Sequence, residues 1–161
     1  MFLGAYWYHY DVKERYAMIH DDTIKLLREC DAGVRMGVDS ISDVLGSVRS
    51  EGFRRKLTEC RAAHEELATE IQGMLDKYHD EGKEPGFIAQ SMSRMKTNFK
   101  LGTDESDETV ADLMTDGCNM GVKSLNRYLN QYKAASEVTK DITKRLINLE
   151  EKLAIDIRQY L

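Results

Sequence analysis

The chain has 161 residues and a formal net charge of −5 at pH 7, a length that fits a single domain with a sizeable core. Its single proline and its content of Leu, Met, Glu, Lys and Ala predict an all-α protein. The acidic balance argues against a general nucleic-acid binder, because neutralising phosphates requires a basic face, and no apolar run approaches the roughly 20 residues that span a bilayer.

The first 20 residues differ in composition from the rest of the chain. Three interpretations compete: an arm that docks on the helical domain or on a second subunit, a disordered tail, and non-native sequence upstream of a true start at Met18. We treat residues 1–20 as an aromatic N-terminal arm, separate from a helical domain at residues 21–161, and as a candidate contact with a protein partner. Its aromatic residues, which show no clear helical stripe, are Phe2, Tyr6, Trp7, Tyr8, Tyr10 and Tyr16.

A first helical hairpin is predicted over residues 21–79. Asp21, Asp22 and Thr23 are residue types that cap helix N-termini, and acidic residues there suit the helix dipole. Apolar residues then recur at spacings of three and four in two runs, which are separated by a break at residues 50–52. The first run includes Ile24, Leu27, Val34, Val38, Ile41, Leu45 and Val48, and the second includes Leu57, Cys60, Leu67, Ile71, Leu75 and Tyr78.

A second hairpin is predicted over residues 104–161, after a crossover at residues 80–103. Acidic residues mark the start of its first helix, and Ser136 is suited to cap the last helix. The crossover contains helix breakers and then a short amphipathic helix at residues 87–101. The apolar side of that short helix consists of Ile88, Met92, Met95 and Phe99.

An internal repeat relates the two hairpins. Residues 36–45 read MGVDSISDVL and residues 120–129 read MGVKSLNRYL, an offset of 84 residues (120 − 36). Such a repeat predicts two similar hairpins packed about a pseudo-two-fold axis. Short turns make neighbouring helices antiparallel, and a long crossover allows the second hairpin to be placed with inverted order. The sequence therefore predicts a four-helix bundle of two repeated antiparallel hairpins, joined by a long crossover that contains a short helix.

Two pairs of glycines occupy equivalent positions of this repeat. Gly33 and Gly37 fall on the first helix, and Gly117 and Gly121 fall on the third. Glycine in a helix interior costs about 1 kcal/mol relative to alanine, so a repeated set requires a compensating gain. We interpret the four glycines as helix-crossing residues, at which the first and third helices approach each other backbone to backbone.

Three ionisable residues lie on the apolar stripes of the predicted helices. His64 and Glu150 occupy equivalent positions of the two hairpins, and a buried polar group needs a partner. We expect these two residues to be close across the pseudo-two-fold axis, as an ion pair, as two separately satisfied groups or within a metal or substrate site. Asp31 lies roughly 10 Å from His64 along the bundle, at 1.5 Å per residue, so one site that contains both is not expected.

The three cysteines are Cys30, Cys60 and Cys118, with no Cys-x-x-Cys spacing. An odd number without that spacing predicts free, buried thiols in a reducing compartment, and we expect Cys30 and Cys118 to be neighbours near the glycines. The N-terminus has neither the basic leader nor the uninterrupted apolar stretch of a secretory signal. These features predict a cytoplasmic protein.

The chain resembles a known class of helical bundles. The pattern covers residues 26–75, the connection at residues 81–86, residues 93–100 and residues 116–128. These segments are similar to the uncharacterised bacterial ferritin-like four-helix-bundle proteins, small cytoplasmic relatives of ferritin and rubrerythrin. The resemblance implies a ferritin-like bundle of two hairpins and a homo-oligomer, for which we expect a dimer.

The chain departs from its metal-binding relatives at the positions that hold the metal. Ferritin-like di-iron proteins use a Glu-x-x-His motif on two helices, and the sequence contains no such motif. We therefore expect no cofactor and no catalytic residues, in a non-catalytic bundle that acts as an interaction or structural protein. The alternative is a metal-binding or oxidative-stress protein with a degenerate iron, manganese or zinc site. The candidate ligands for that site are Asp31, His64, Glu66, Glu70 and Glu150.

Overall fold

The computed structural model describes residues 3–82 and 105–161. These residues form four α-helices and two short 3₁₀ turns, and no strand occurs in these two ranges, so the predicted all-α class is confirmed for them. No helix within them combines the length and the apolar character needed to cross a membrane. The α-helices are α1 (Leu3–Val44), α2 (Glu51–Lys77), α3 (Asp107–Gln131) and α4 (Glu137–Asp156), and the 3₁₀ turns are Leu45–Ser47 and Arg158–Tyr160.

Serine side chains cap the N-termini of three of the helices. Ser50 caps α2, Ser106 caps α3 and Ser136 caps α4, each accepting a hydrogen bond from the backbone N–H three residues later. Such a bond satisfies one of the N–H groups that the first turn of a helix leaves without a partner. The predicted cap at Ser136 is confirmed.

The end of α2 and the start of α3 lie at opposite ends of the bundle. Arg28 of α1 binds Asp80, at 2.6 Å, which places the end of α2 beside the middle of α1. Asp107 accepts hydrogen bonds from the backbone N–H groups of Arg49 and Ser50, which places the start of α3 at the opposite end. Helices α2 and α3 therefore run in the same direction, as a long crossover requires. The short helix predicted at residues 87–101 lies outside the described residues.

Two apolar clusters fill the interior of the bundle. Helix α1 contacts the other three helices, and α4 packs on α2 and α3. Each fully buried Leu, Ile or Phe side chain contributes about 1.5–3 kcal/mol, so these clusters supply most of the stability. The upper cluster, toward the α1–α2 turn, includes Ile41, Phe53, Leu57, Met114, Leu153 and Ile157, and the lower cluster, toward the α3–α4 turn, includes Leu26, Leu27, Ile71, Leu75, Ile142 and Leu146.

The predicted start of the first helix at Asp21 is wrong. Helix α1 begins at Leu3, so the boundary drawn at residues 20 and 21 falls inside one continuous helix. The capping residues instead serve the α3–α4 turn: Asp22 accepts a hydrogen bond from the N–H of Ala134 and Thr23 accepts one from the N–H of Ser136, both at 2.9 Å. A capping side chain binds whichever free backbone N–H the fold brings to it, and here that group belongs to another element.

Candidate functional site

His64 of α2 and Glu150 of α4 meet in the interior. Nε2 of His64 lies 2.9 Å from Oε1 of Glu150, and the two side chains are 1% and 12% exposed. His64 stands one turn after Cys60 of the upper cluster and one turn before Leu67 of the lower cluster. The expected proximity of His64 and Glu150 is confirmed, and their contact links the two hairpins between the apolar clusters.

The hydrogen bonds of His64 determine where its protons lie. Nδ1 is 2.9 Å from the carbonyl oxygen of Cys60, and a carbonyl oxygen only accepts, so Nδ1 carries a proton. One further proton must lie between Nε2 and the Glu150 carboxylate, because two lone pairs facing each other at 2.9 Å would repel. Both ring nitrogens of His64 are thus occupied within the protein.

The surroundings of His64 favour its charged form. Burial by itself lowers the pKa of His64. The hydrogen bonds to Cys60 and Glu150 and the negative charge of Glu150 raise this pKa by more than burial lowers it, to about 10. At neutral pH the pair is therefore an imidazolium and a carboxylate. The two charges of such a buried pair stabilise each other, and the loss of either partner destabilises the protein.

Gly37 and Gly121 make room for these two side chains. A Cβ atom at Gly37 would overlap the imidazole of His64, whereas a Cβ atom at Gly121 would lie 3.6 Å from Glu150, at ordinary van der Waals distance. The atoms nearest to both positions belong to these side chains and not to the backbone of the facing helix. The interpretation of these two glycines as points of backbone-to-backbone crossing is therefore corrected: Gly37 accommodates His64, and Gly121 faces Glu150.

A cavity of about 60 Å³ lies between α1 and α3, beside the His64–Glu150 pair. At roughly 15 Å³ for each water it has room for about four water molecules, or for a small organic group. All four repeated glycines border it, as do the repeated pairs Met36 and Met120, and Ser40 and Ser124. Sequence reasoning did not predict this cavity, although the identity of these residues between the two copies of the repeat was a signal for it. The remaining lining residues are Glu29, Ile41, His64, Met114, Cys118, Leu125, Tyr128, Leu146, Glu150 and Leu153.

The five candidate metal ligands do not come together. Asp31 is buried and binds Arg35 at 3.1 Å, and Glu70 is exposed and binds Arg145. Glu66 lies on the exposed face of α2. Only His64 and Glu150 are in contact, and across residues 3–82 and 105–161 no three His, Cys, Asp or Glu side chains converge in a way that could hold a metal ion.

The three cysteines are free and buried. Cys30 lies in the lower cluster 3.2 Å from the hydroxyl of Thr143, and burial raises the pKa of its thiol to about 12. Cys118 lies in the upper cluster, where burial and the nearby charge of Glu150 raise the pKa of its thiol. The expected proximity of Cys30 and Cys118 is wrong, because the two belong to opposite ends of the core. Buried thiols with raised pKa values are poor nucleophiles.

The apolar stripe of α1 continues past the end of the bundle. Thr23 and Leu26 are fully buried, and the same spacing of three and four residues continues backward through Ile19, Tyr16 and Val12, which are 39%, 75% and 45% exposed. We call residues 3–20 of α1 the N-terminal extension; at 1.5 Å per residue it is about 27 Å long. Every residue from 11 to 20 is exposed. The signal for this continuation was present in the sequence, in the spacing of Val12, Tyr16 and Ile19.

Comparison of the chain with protein-family models, with curated proteins and with solved structures finds no significant match.

Proposed function

We propose that the protein is a non-catalytic, ferritin-like four-helix bundle that acts in the cytoplasm as an interaction or structural protein and forms a homodimer through its N-terminal extension. The observation that carries the proposal is the core stripe of α1, which is buried at Thr23 and Leu26 but exposed at Val12, Tyr16 and Ile19. The same face of α1 thus packs into the core at one end of the helix and is exposed to solvent at the other.

Such an extension gains stability from a partner. In proteins most of the stability of a helix comes from the packing of its apolar face, and contiguous exposed apolar side chains on a protein surface mark interaction sites. Of the large apolar side chains that are exposed in the described ranges, more than half lie in the extension. They are Val12, Tyr16, Met18 and Ile19.

A second copy of the chain suits this face. The extension carries two acidic and two basic residues, Asp11, Glu14, Lys13 and Arg15, so two copies meet without net charge repulsion. A two-fold contact uses the same patch twice.

The chemistry of the interior supports a non-catalytic role. Both nitrogens of His64 are engaged, one by the Cys60 carbonyl and one by Glu150. A general base needs a nitrogen within reach of the proton that it abstracts. The metal-binding alternative rests on the sequence alone.

The proposal is tested by measuring molar mass with light scattering after size-exclusion chromatography. We expect the wild-type chain to be a dimer and the double variant Val12→Glu, Ile19→Glu to be a monomer with an unchanged bundle. Ile155→Glu is the matched control, because Ile155 is also exposed but lies at the end of α4. A wild-type protein that stays monomeric at high concentration would show that the extension does not pair with a second copy.

A further inference from the structure

Most of the residues that are identical in the two copies of the repeat gather around one cavity. Met36, Gly37 and Ser40 of α1 recur as Met120, Gly121 and Ser124 of α3, and all six line the space beside the His64–Glu150 pair. A repeat that served helix packing alone would also be satisfied by larger apolar residues at these positions. The repeated residues instead leave a space, with thioether and hydroxyl groups at its walls.

Packing does not explain two of the glycines at this space. A Cβ atom at Gly33 would lie 3.5 Å from Leu146, and one at Gly121 would lie 3.6 Å from Glu150, so alanine fits at both positions with ordinary contacts. Alanine would also stabilise the helix, because glycine is one of the poorest residues in a helix interior. Of Gly33, Gly37 and Gly121, only Gly37 is required sterically, by His64. Residues that weaken a fold without a packing reason are typical of functional sites, where stability is reduced in favour of activity or binding.

The lining indicates the class of molecule that the cavity accepts. Its walls are mostly apolar, with Met36, Met114 and Met120 supplying flexible thioether side chains that adapt to small groups. Its charged groups are the His64–Glu150 pair, which is neutral overall, and Glu29. An anion or a cation would lose its hydration among the apolar walls. The hydroxyls of Ser40 and Ser124 and the carboxylate of Glu150 accept hydrogen bonds.

From these observations we propose that the cavity is a binding site for a small neutral molecule that has a short apolar body and one hydrogen-bond donor, such as an aliphatic alcohol. The apolar body replaces water between α1 and α3, and the donor faces the serine and glutamate oxygens. The site is separate from the N-terminal extension, so the inference does not depend on the proposed dimer.

The test uses the full-length protein with ¹³C-labelled methionine methyl groups and three probes of equal chain length. We expect 1-butanol to shift the NMR signals of Met36, Met114 and Met120 saturably, while Met18 and Met74, which lie elsewhere, stay in place. Butyrate and butylammonium should bind at least about tenfold more weakly, a difference of about 1.4 kcal/mol. No saturable shift at any concentration that leaves the protein folded would overturn the site, and equal or tighter binding of either ion would overturn the neutral class.

Two alanine variants separate binding from stability. Gly33→Ala should raise the melting temperature and weaken 1-butanol binding about tenfold, the loss typical of one misplaced methylene group in an apolar pocket. Gly73→Ala is the matched control: Gly73 also lies inside a helix, but a Cβ atom there meets nothing within 4 Å. It should raise the melting temperature and leave binding unchanged. If Gly33→Ala binds 1-butanol as tightly as the wild type does, the cavity is not the site.

Discussion

His64 and Gly37 form a single unit in the bundle. The imidazole occupies the volume that any side chain at position 37 would need, and its two nitrogens reach in opposite directions, to the Cys60 carbonyl and to Glu150. The glycine destabilises α1 by about 1 kcal/mol relative to alanine. In return, it allows a charged pair to be buried with full hydrogen bonding, which is the condition under which such a pair is tolerated.

The protonation of His64 makes the stability of the protein depend on pH. The pKa of His64 is about 10 in the folded state against a usual value of 6.5, so its contribution is complete below pH 6.5 and is lost as the pH rises toward 10. Between pH 7.5 and 8.5 the unfolded chain binds about one proton fewer than the folded chain. This difference at His64 alone should lower the free energy of unfolding by about 1.4 kcal/mol.

The measurement is urea unfolding of the wild type and of His64→Gln across this pH range. The cysteines add a decline of their own, because buried thiols with raised pKa values begin to ionise near pH 8.5 once the chain unfolds, but this decline is common to both proteins. The decline should be steeper in the wild type than in the variant by about 1.4 kcal/mol, which is the contribution of His64. Parallel curves for the two proteins would show that the histidine is not charged in the folded state.

At the scale of elements, α1 organises the bundle. It contacts the other three helices, binds Asp80 after α2 through Arg28, and supplies Asp22 and Thr23 to the α3–α4 turn. The contact with Asp80 fixes the position of α2 along α1, and those of Asp22 and Thr23 fix the position of the second hairpin. Helix α1 continues beyond the bundle, so the residues that hold its neighbours in register lie near the middle of its length.

Removing the Asp22 carboxylate should weaken the α3–α4 turn. In Asp22→Ala the N–H of Ala134 loses its acceptor, and an unsatisfied, partly buried donor costs about 1–3 kcal/mol. Asp21→Ala is the matched control, because Asp21 forms only an exposed ion pair with Lys25, worth about 0–1 kcal/mol. Hydrogen exchange at Ala134 should be faster in the first variant alone. Equal exchange rates in both variants would contradict this role for Asp22.

From the sequence, the helices and one contact were predicted correctly, whereas the start of α1 was predicted wrongly and the cavity was missed. The apolar spacing and the repeat were sufficient to predict the hairpins and the proximity of His64 and Glu150, since both depend only on periodicity. The predicted start of α1 was wrong because Asp22 and Thr23 accept hydrogen bonds from any nearby backbone N–H group. Composition does not show which element supplies that group. The cavity was missed because a pattern of apolar residues shows which face is buried but not how much volume the side chains leave.

At the scale of the whole molecule, the His64–Glu150 pair joins two hairpins and separates two apolar clusters. Apolar side chains pack in many registers, whereas a hydrogen-bonded pair at 2.9 Å is satisfied in only one. Without the pair, the two clusters could merge into a continuous apolar core. We therefore expect the pair to contribute more to the uniqueness of the packing than to its strength, since buried ion pairs often provide small or negative net stabilisation.

This distinction is testable with leucine substitutions at both positions. His64→Leu or Glu150→Leu alone leaves one buried group without its partner and should reduce the free energy of unfolding by about 3–5 kcal/mol. The double variant His64→Leu, Glu150→Leu removes both groups and should recover most of that loss, because leucine extends the apolar core across the former pair. Urea unfolding of the four proteins measures the coupling, and the dispersion of methyl NMR signals reports whether one packing remains. A double variant as unstable as the sum of the single variants would show that the space at Gly37 and Gly121 fits only the native pair.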